Sequence, residues 1–158
     1  MPSTHSLMPL TTDEEIAELL TLTRTIALVG ASPRPNRPSH RVMHYLLNQG
    51  YSVYPVNQCE TGKTILGRKV YATLSEIPVA IDLVDIFRRS QYVMGIVSEA
   101  ILIKAKAIWT QLEVIDEEAA ARAREAGLTV IMDRCPAIDL PNLKAAGLVD
   151  RDWRADQD

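Results

Sequence analysis

Cysteine is scarce: Cys59 and Cys135 are the only two in 158 residues. That excludes a disulfide-stapled scaffold and leads us to expect a reduced, cytoplasmic protein. No apolar run approaches the roughly 18–20 residues that a membrane helix needs. From Met1 to Thr12 no basic start is followed by an apolar stretch, so no secretory signal is expected. Internal repeats, low-complexity segments and dividing linkers are also missing. An excess of positive charge is lacking as well, since 17 basic against 20 acidic residues give a net charge of −3. That argues against general nucleic-acid binding. What is there is ordinary for one globular domain: 17.6 kDa, 47% hydrophobic and 23% charged residues. Such a composition excludes whole-chain disorder and fibrous repeats.

The order of elements is informative. Thr12 and Glu15 have capping-box spacing before a helix at Asp13–Leu22 whose Ile16, Leu19 and Leu20 share a face. Thr25 to Val29 reads as a strand buried on both faces and ending at Gly30. Three prolines stiffen the following loop, and Ser39 is the expected N-cap of a helix running to about Gln49. Tyr51–Val56 is the second strand. Asn57–Lys69 is a polar loop, Val70-Tyr71 a very short strand and Thr73–Ile77 a helical turn. Further strands are expected at Ala80–Phe87, Ala107–Trp109 and Leu128–Met132, with helices at Ser90–Lys104 and Asp116–Ala126. The tail from Ala137 reads as irregular, with a helical option at Leu140–Ala146. Alternation of this kind predicts one α/β, Rossmann-like doubly wound sheet of about five parallel strands, with helices on both faces. The expected organisation is a helical lead-in over 1–24, the sheet domain over 25–136 and a C-terminal extension over 137–158.

Charge is unevenly spread. Between Ala31 and Lys69 six basic side chains (Arg34, Arg37, Arg41, Lys63, Arg68, Lys69) face one acid, Glu60. This segment falls where such sheets bind ligands, beyond the carboxyl ends of the strands. Gly30 lets the chain turn sharply, and the helix near Ser39 offers free N–H groups and its positive end. A phosphate fits there, with Ser32 and Ser39 adding hydroxyls; a solvated charged loop is the alternative. The dinucleotide fingerprint is absent. After Gly30 the next glycine is Gly50, and the second strand ends in Val56-Asn57-Gln58 rather than an acid. Thr61-Gly62-Lys63-Thr64 lacks the leading glycine of a P-loop, which excludes a nucleoside triphosphatase of that type. Asp85-Ile86-Phe87-Arg88-Arg89 combines an apolar platform with guanidinium groups suited to a base and a phosphate.

Taken together, Val29-Gly30-Ala31-Ser32, Pro38-Ser39, Val53-Tyr54-Pro55-Val56-Asn57, Gly67-Arg68-Lys69-Val70-Tyr71 and Asp82 to Arg88 resemble the CoA-binding domain family. Its fold is shared with the N-terminal domain of the succinyl-CoA synthetase alpha subunit and found alone in small bacterial proteins. The resemblance spans about Thr25 to Pro136. It implies that Gly30, Ala31 and Ser32 cradle a diphosphate, with Ser39 at the helix start and Arg37 beside it. It implies that Asn57 and Lys63 reach the adenosine and its 3′-phosphate. Ile86, Phe87 and Arg88 would line the path of the adenine or pantetheine. Gln58 stands where the family often has proline.

Other residues get plainer readings. His40 and His44 have the spacing of a helical metal site but no third ligand, so surface or partly buried histidines are expected, with His40 an optional phosphate donor. Cys135 reads as a core thiol, and Trp109 and Trp153 as packing residues. Asp82 and Asp85, three apart on a strand, point to opposite faces and make no shared acid pair. The expectation is a non-catalytic binder of coenzyme A or an acyl-CoA, regulatory or carrier-like. It would be a monomer or small homo-oligomer with no nucleic-acid or membrane partner. The alternatives are part of a CoA ligase acting with a separate subunit, or an NAD(P)-binding oxidoreductase.

Overall fold

Alternating short strands and amphipathic helices can bury both kinds of apolar surface only by stacking in layers. A computed structural model describes residues 11–149 and shows that arrangement. In chain order the elements are α1 (Asp13–Leu22), β1 (Thr25–Val29), α2 (Pro38–Asn48), β2 (Ser52–Val56), β3 (Thr64–Ile65), β4 (Arg68–Lys69), β5 (Leu83–Ile86), α3 (Val93–Leu102), β6 (Ala107–Thr110), α4 (Glu117–Glu125), β7 (Thr129–Ile131) and α5 (Pro136–Ala145). The main sheet is parallel, in the order β2-β1-β5-β6-β7. Its helices cover both faces. Ile16, Leu20, Met43, Leu46, Leu140 and Leu143 bring α1, α2 and α5 against one side. Val93, Val97, Ala119 and Ala123 bring α3 and α4 against the other. Ile26, Leu28 and Leu83 lie fully buried in the sheet. Each contributes about 1.5–3 kcal/mol by leaving water.

The capping box at Thr12 forms in both directions, and α1 has the expected bounds. Gly50 and Gly127 take the left-handed conformations that end α2 and α4. Two expectations are corrected. Ser39 is not the N-cap of α2. Pro38 takes the first helical position, where its fixed φ fits and its missing N–H costs nothing, so Arg37 becomes the cap residue. The tail is not irregular from Ala137: the helical option at Leu140–Ala146 is the one taken, and α5 starts earlier, at Pro136, and ends at Ala145. It tolerates Pro141 within the helix because Leu140 and Leu143 pack into the core. Inside the expected polar loop, Leu66 and Gly67 both adopt positive φ and turn β3 back onto β4. Tyr71 bridges to Val56 at the sheet edge. Trp109 and Cys135 are buried, and the indole N–H of Trp109 donates to the Arg134 carbonyl. The start of the lead-in, Trp153 and the end of the extension lie outside the described residues. Among the described residues no helix is long and apolar enough to cross a membrane.

Candidate functional site

Parallel β1 and β2 end side by side, with Val29 paired to Val56. Gly30 turns away at φ +91°, and its N–H donates to the Val56 carbonyl at 2.9 Å; the N–H of Ala31 shares that acceptor at 3.3 Å. These two amides hold the strand ends together, so neither N–H is free. Asn57 supplies the second clamp. Its Nδ2 donates to the Ala31 carbonyl at 2.7 Å, and its Oδ1 accepts the Cys59 N–H at 2.9 Å. Its side chain thus fixes the loop after β1 against the loop after β2.

Beyond the clamp the chain crosses to α2. The Ser32 hydroxyl accepts the Arg34 N–H at 3.1 Å, and the Ser32 carbonyl lies 3.1 Å from Nδ1 of His40. No side chain caps the amino end of α2. Pro38 has no N–H, and the His40 and Arg41 N–H groups donate to the Arg37 carbonyl at 3.1 and 3.2 Å, so the Ser39 N–H and the partial positive charge of the helix end are left for a ligand. The hydroxyl of Ser39, a residue only 4% exposed, has no hydrogen-bond partner among the described residues.

These elements enclose a cavity of about 420 Å³. Of the predicted residues, Gly30, Ala31, Ser32, Arg37, Ser39, Asn57 and Phe87 line it, joined by Pro33, Arg34, Pro38 and Glu60. Arg34, Arg37 and the helix amino end bring positive charge to this hollow, which electrostatically favours an anion. Arg88 lies instead in an adjoining hollow of about 130 Å³, which Asn57 also borders and which includes Thr73 and Glu99. Its guanidinium stacks 4.3 Å from the ring centre of Tyr92. Lys63 lines neither hollow; its ammonium sits 2.9 Å from a Glu60 carboxylate oxygen, at the cavity edge. Ile86 is corrected: it is wholly buried in the core beside Val29 and Val56, and its side chain has no surface to offer a ligand.

Arg34 and Glu60 line the cavity without being among the expected site residues. Both were visible only as charges in the segment. A short 3-10 turn at Gln58–Glu60, capped by Asn57, brings Glu60 to the cavity. A third hollow, of about 450 Å³, lies across the sheet at the amino ends of the strands, against Glu15, Asp82 and Lys106. It is remote from the helix amino end that favours anions. Among the described residues no group of three or more histidine, cysteine or carboxylate side chains is placed to hold a metal.

A family model described as a CoA binding domain matches residues 24–141. YneT, an uncharacterized protein of Bacillus subtilis, is 41% identical over 121 residues, covering 77% of this chain and 88% of that protein. A solved structure of a hypothetical protein from Pyrococcus horikoshii is 44% identical with a TM-score of 0.80, covering 84% of this chain and 92% of that one. The alpha subunit of an ADP-forming acetate–CoA ligase of Pyrococcus furiosus is 33% identical over 80 residues, covering 48% of this chain and 17% of that subunit.

Proposed function

Because the chain belongs to the CoA-binding domain family, we propose that it binds coenzyme A or an acyl-CoA at the rim of β1 and β2, as a non-catalytic binder. One observation carries this reading. The uncapped amino end of α2, Arg34 and Arg37 converge on a single cavity behind the Gly30 turn. A diphosphate gains from each of these, and water is displaced only partly from a hollow so open to the surface. The smaller hollow beyond Asn57 gives the rest of a long ligand a course along the sheet edge. The binder reading also draws on His40. Its ring meets the Ser32 carbonyl and not the hydroxyl, so the two residues form no nucleophile–base pair.

A second reading has its own support. The likeness to the acetate–CoA ligase alpha subunit favours a nucleotide-binding part that works with a separate subunit. Calorimetry of one sample with CoA, dephospho-CoA, NAD and NADP tests the ligand in both readings. Coenzyme A is expected to bind tightest, in the micromolar range. Equal or tighter binding of NAD would overturn it.

A further inference from the structure

The cavity that receives anions also holds a carboxylate. Glu60 lines it together with Arg34 and Arg37. Its side chain is only 21% exposed. One of its oxygens, Oε2, is taken by Lys63 at 2.9 Å, while Oε1 has no partner among the described residues. The backbone that carries the group is held in place. The N–H of Glu60 donates to the Asn57 carbonyl at 3.1 Å, and the Glu60 carbonyl accepts the Lys63 N–H at 3.2 Å. The turn is closed again by the Thr61 hydroxyl on the Gln58 carbonyl.

An ionised carboxylate only accepts hydrogen bonds. Beside a phosphate it repels; beside a hydroxyl it is a strong partner. A cavity built for a bare anion would gain by lacking it. In a sheet of this type, with the pyrophosphate at the first strand–helix turn, the loop after the second strand meets the sugar. Glu60 stands on that loop, four residues past the end of β2, where the strand itself supplies no acid.

We propose that Glu60 reads the ribose of a nucleotide ligand, its free Oε1 accepting a sugar hydroxyl. The inference rests on the coenzyme A reading for one further step. Glu60 and Lys63 set an acceptor and an ammonium side by side, which matches a ribose whose 2′-hydroxyl is free and whose 3′-hydroxyl is phosphorylated. Glu60 takes the hydroxyl and Lys63 turns to the phosphate. Glu60 is then a selectivity residue that favours nucleotides over inorganic anions of equal charge.

The test uses the full chain and its Glu60→Ala and Glu60→Gln variants, titrated calorimetrically with ADP, pyrophosphate and CoA at one ionic strength. ADP is decisive, since it carries the ribose but no 3′-phosphate that a released Lys63 would attract. Glu60→Ala is expected to weaken ADP by about tenfold. Pyrophosphate should bind the variant as well as or better than it binds the wild type. Glu60→Gln keeps an acceptor oxygen and should recover part of the ADP loss. If ADP and pyrophosphate tighten together in Glu60→Ala, Glu60 is only a counter-ion to the cavity and the assignment fails. A wild type that binds ADP in the expected pattern but rejects CoA sinks the coenzyme A reading and leaves Glu60 as the sugar reader. Binding of none of the three sinks both.

Discussion

Gly30 passes so close to Phe87 that a β-carbon on it would lie 2.6 Å from the Phe87 carbonyl oxygen and 3.0 Å from its carbon. The crowding is backbone on backbone, because Phe87 donates its N–H to Val29 at 2.8 Å and cannot retreat without opening β1 from β5. Gly30 also sits at φ +91°. Gly30→Ala therefore combines strain with a clash. The strained conformation alone costs on the order of 1–3 kcal/mol, or roughly 2–4 °C of melting temperature per kcal/mol for a domain of this size. Coenzyme A binding should be lost with it. Gly62→Ala is the control: its φ is +87° but nothing lies within 4 Å of the added carbon. It should show strain alone and keep its binding. Thermal denaturation and calorimetry on both variants check this.

Asn57 offers a gentler perturbation of the same rim. Replacing it with alanine removes the bonds to the Ala31 carbonyl and the Cys59 N–H. At about 0.5–1.5 kcal/mol for each bond, the fold should survive with a lowered melting temperature. Replacing it with aspartate keeps the acceptor for Cys59 but sets a carboxylate against the Ala31 carbonyl and beside the anion cavity. Asn57→Asp is expected to impair coenzyme A binding more than Asn57→Ala. Equal binding by the two variants would show that the clamp acts only through loop stability.

Lys63→Ala is expected to weaken coenzyme A more than dephospho-CoA. The Lys63–Glu60 pair is exposed on the lysine side, at 64%. A surface pair of this kind is worth at most about 1 kcal/mol, so melting should hardly change. A charge-assisted contact to the 3′-phosphate is worth about 1.5–3 kcal/mol. The preference for coenzyme A over dephospho-CoA should therefore fall by about ten- to a hundredfold. A uniform loss for both ligands would place Lys63 away from that phosphate.

What could be read from the sequence follows the range of the forces involved. The start of α1 is local: Thr12 and Glu15 satisfy each other's N–H groups within one turn, and the spacing alone reveals it. The strand ends at Gly30 and the helix stops at Gly50 and Gly127 are single-residue backbone requirements, equally legible. The β3–β4 turn is not, because Leu66 holds a positive φ where asparagine or glycine would signal it. Only the second half of α5 is, as the helical option at Leu140–Ala146; its start at Pro136 is hidden, and Pro141 argues locally against a helix. Contacts of α5 with α1 and α2 decide the matter, with the Arg134–Asp139 ion pair beside its first turn. In the site, the Gly30–Ser32 turn and Arg37 were legible as motif and charge. Glu60 was not, since a lone acid in a basic segment reveals its place only when the Asn57-capped turn is known.

Asp82 and Asp85 give opposite dependences of stability on pH. Burial pushes the Asp82 carboxyl up, but the N–H groups of Arg24 and Thr25, at 2.9 and 3.2 Å, together with Lys106, outweigh it and hold the group below the ordinary range. Its stabilisation is present above the unfolded value, near 4, and is lost as pH falls through the folded one. Asp85 is fully buried on β5, in register with Leu28 and Trp109, and neither oxygen has a partner among the described residues. Burial pushes its carboxyl well above the ordinary range, so it stays protonated in the fold while the unfolded chain ionises. Between those two values the unfolded state binds fewer protons, and stability falls as pH rises. Asp85→Val fits the strand and removes the ionisable group. It should raise stability at neutral pH by about 1–3 kcal/mol, the cost of an unsatisfied buried group. It should also flatten the decline over the pH range above the unfolded value, near 4. Asp85→Asn should flatten the decline equally but gain less, because its amide remains buried. Thermal denaturation of the three proteins across that range decides the matter: if Asp85→Val melts lower than wild type at neutral pH, the carboxyl is held by a partner in solution and contributes to the fold.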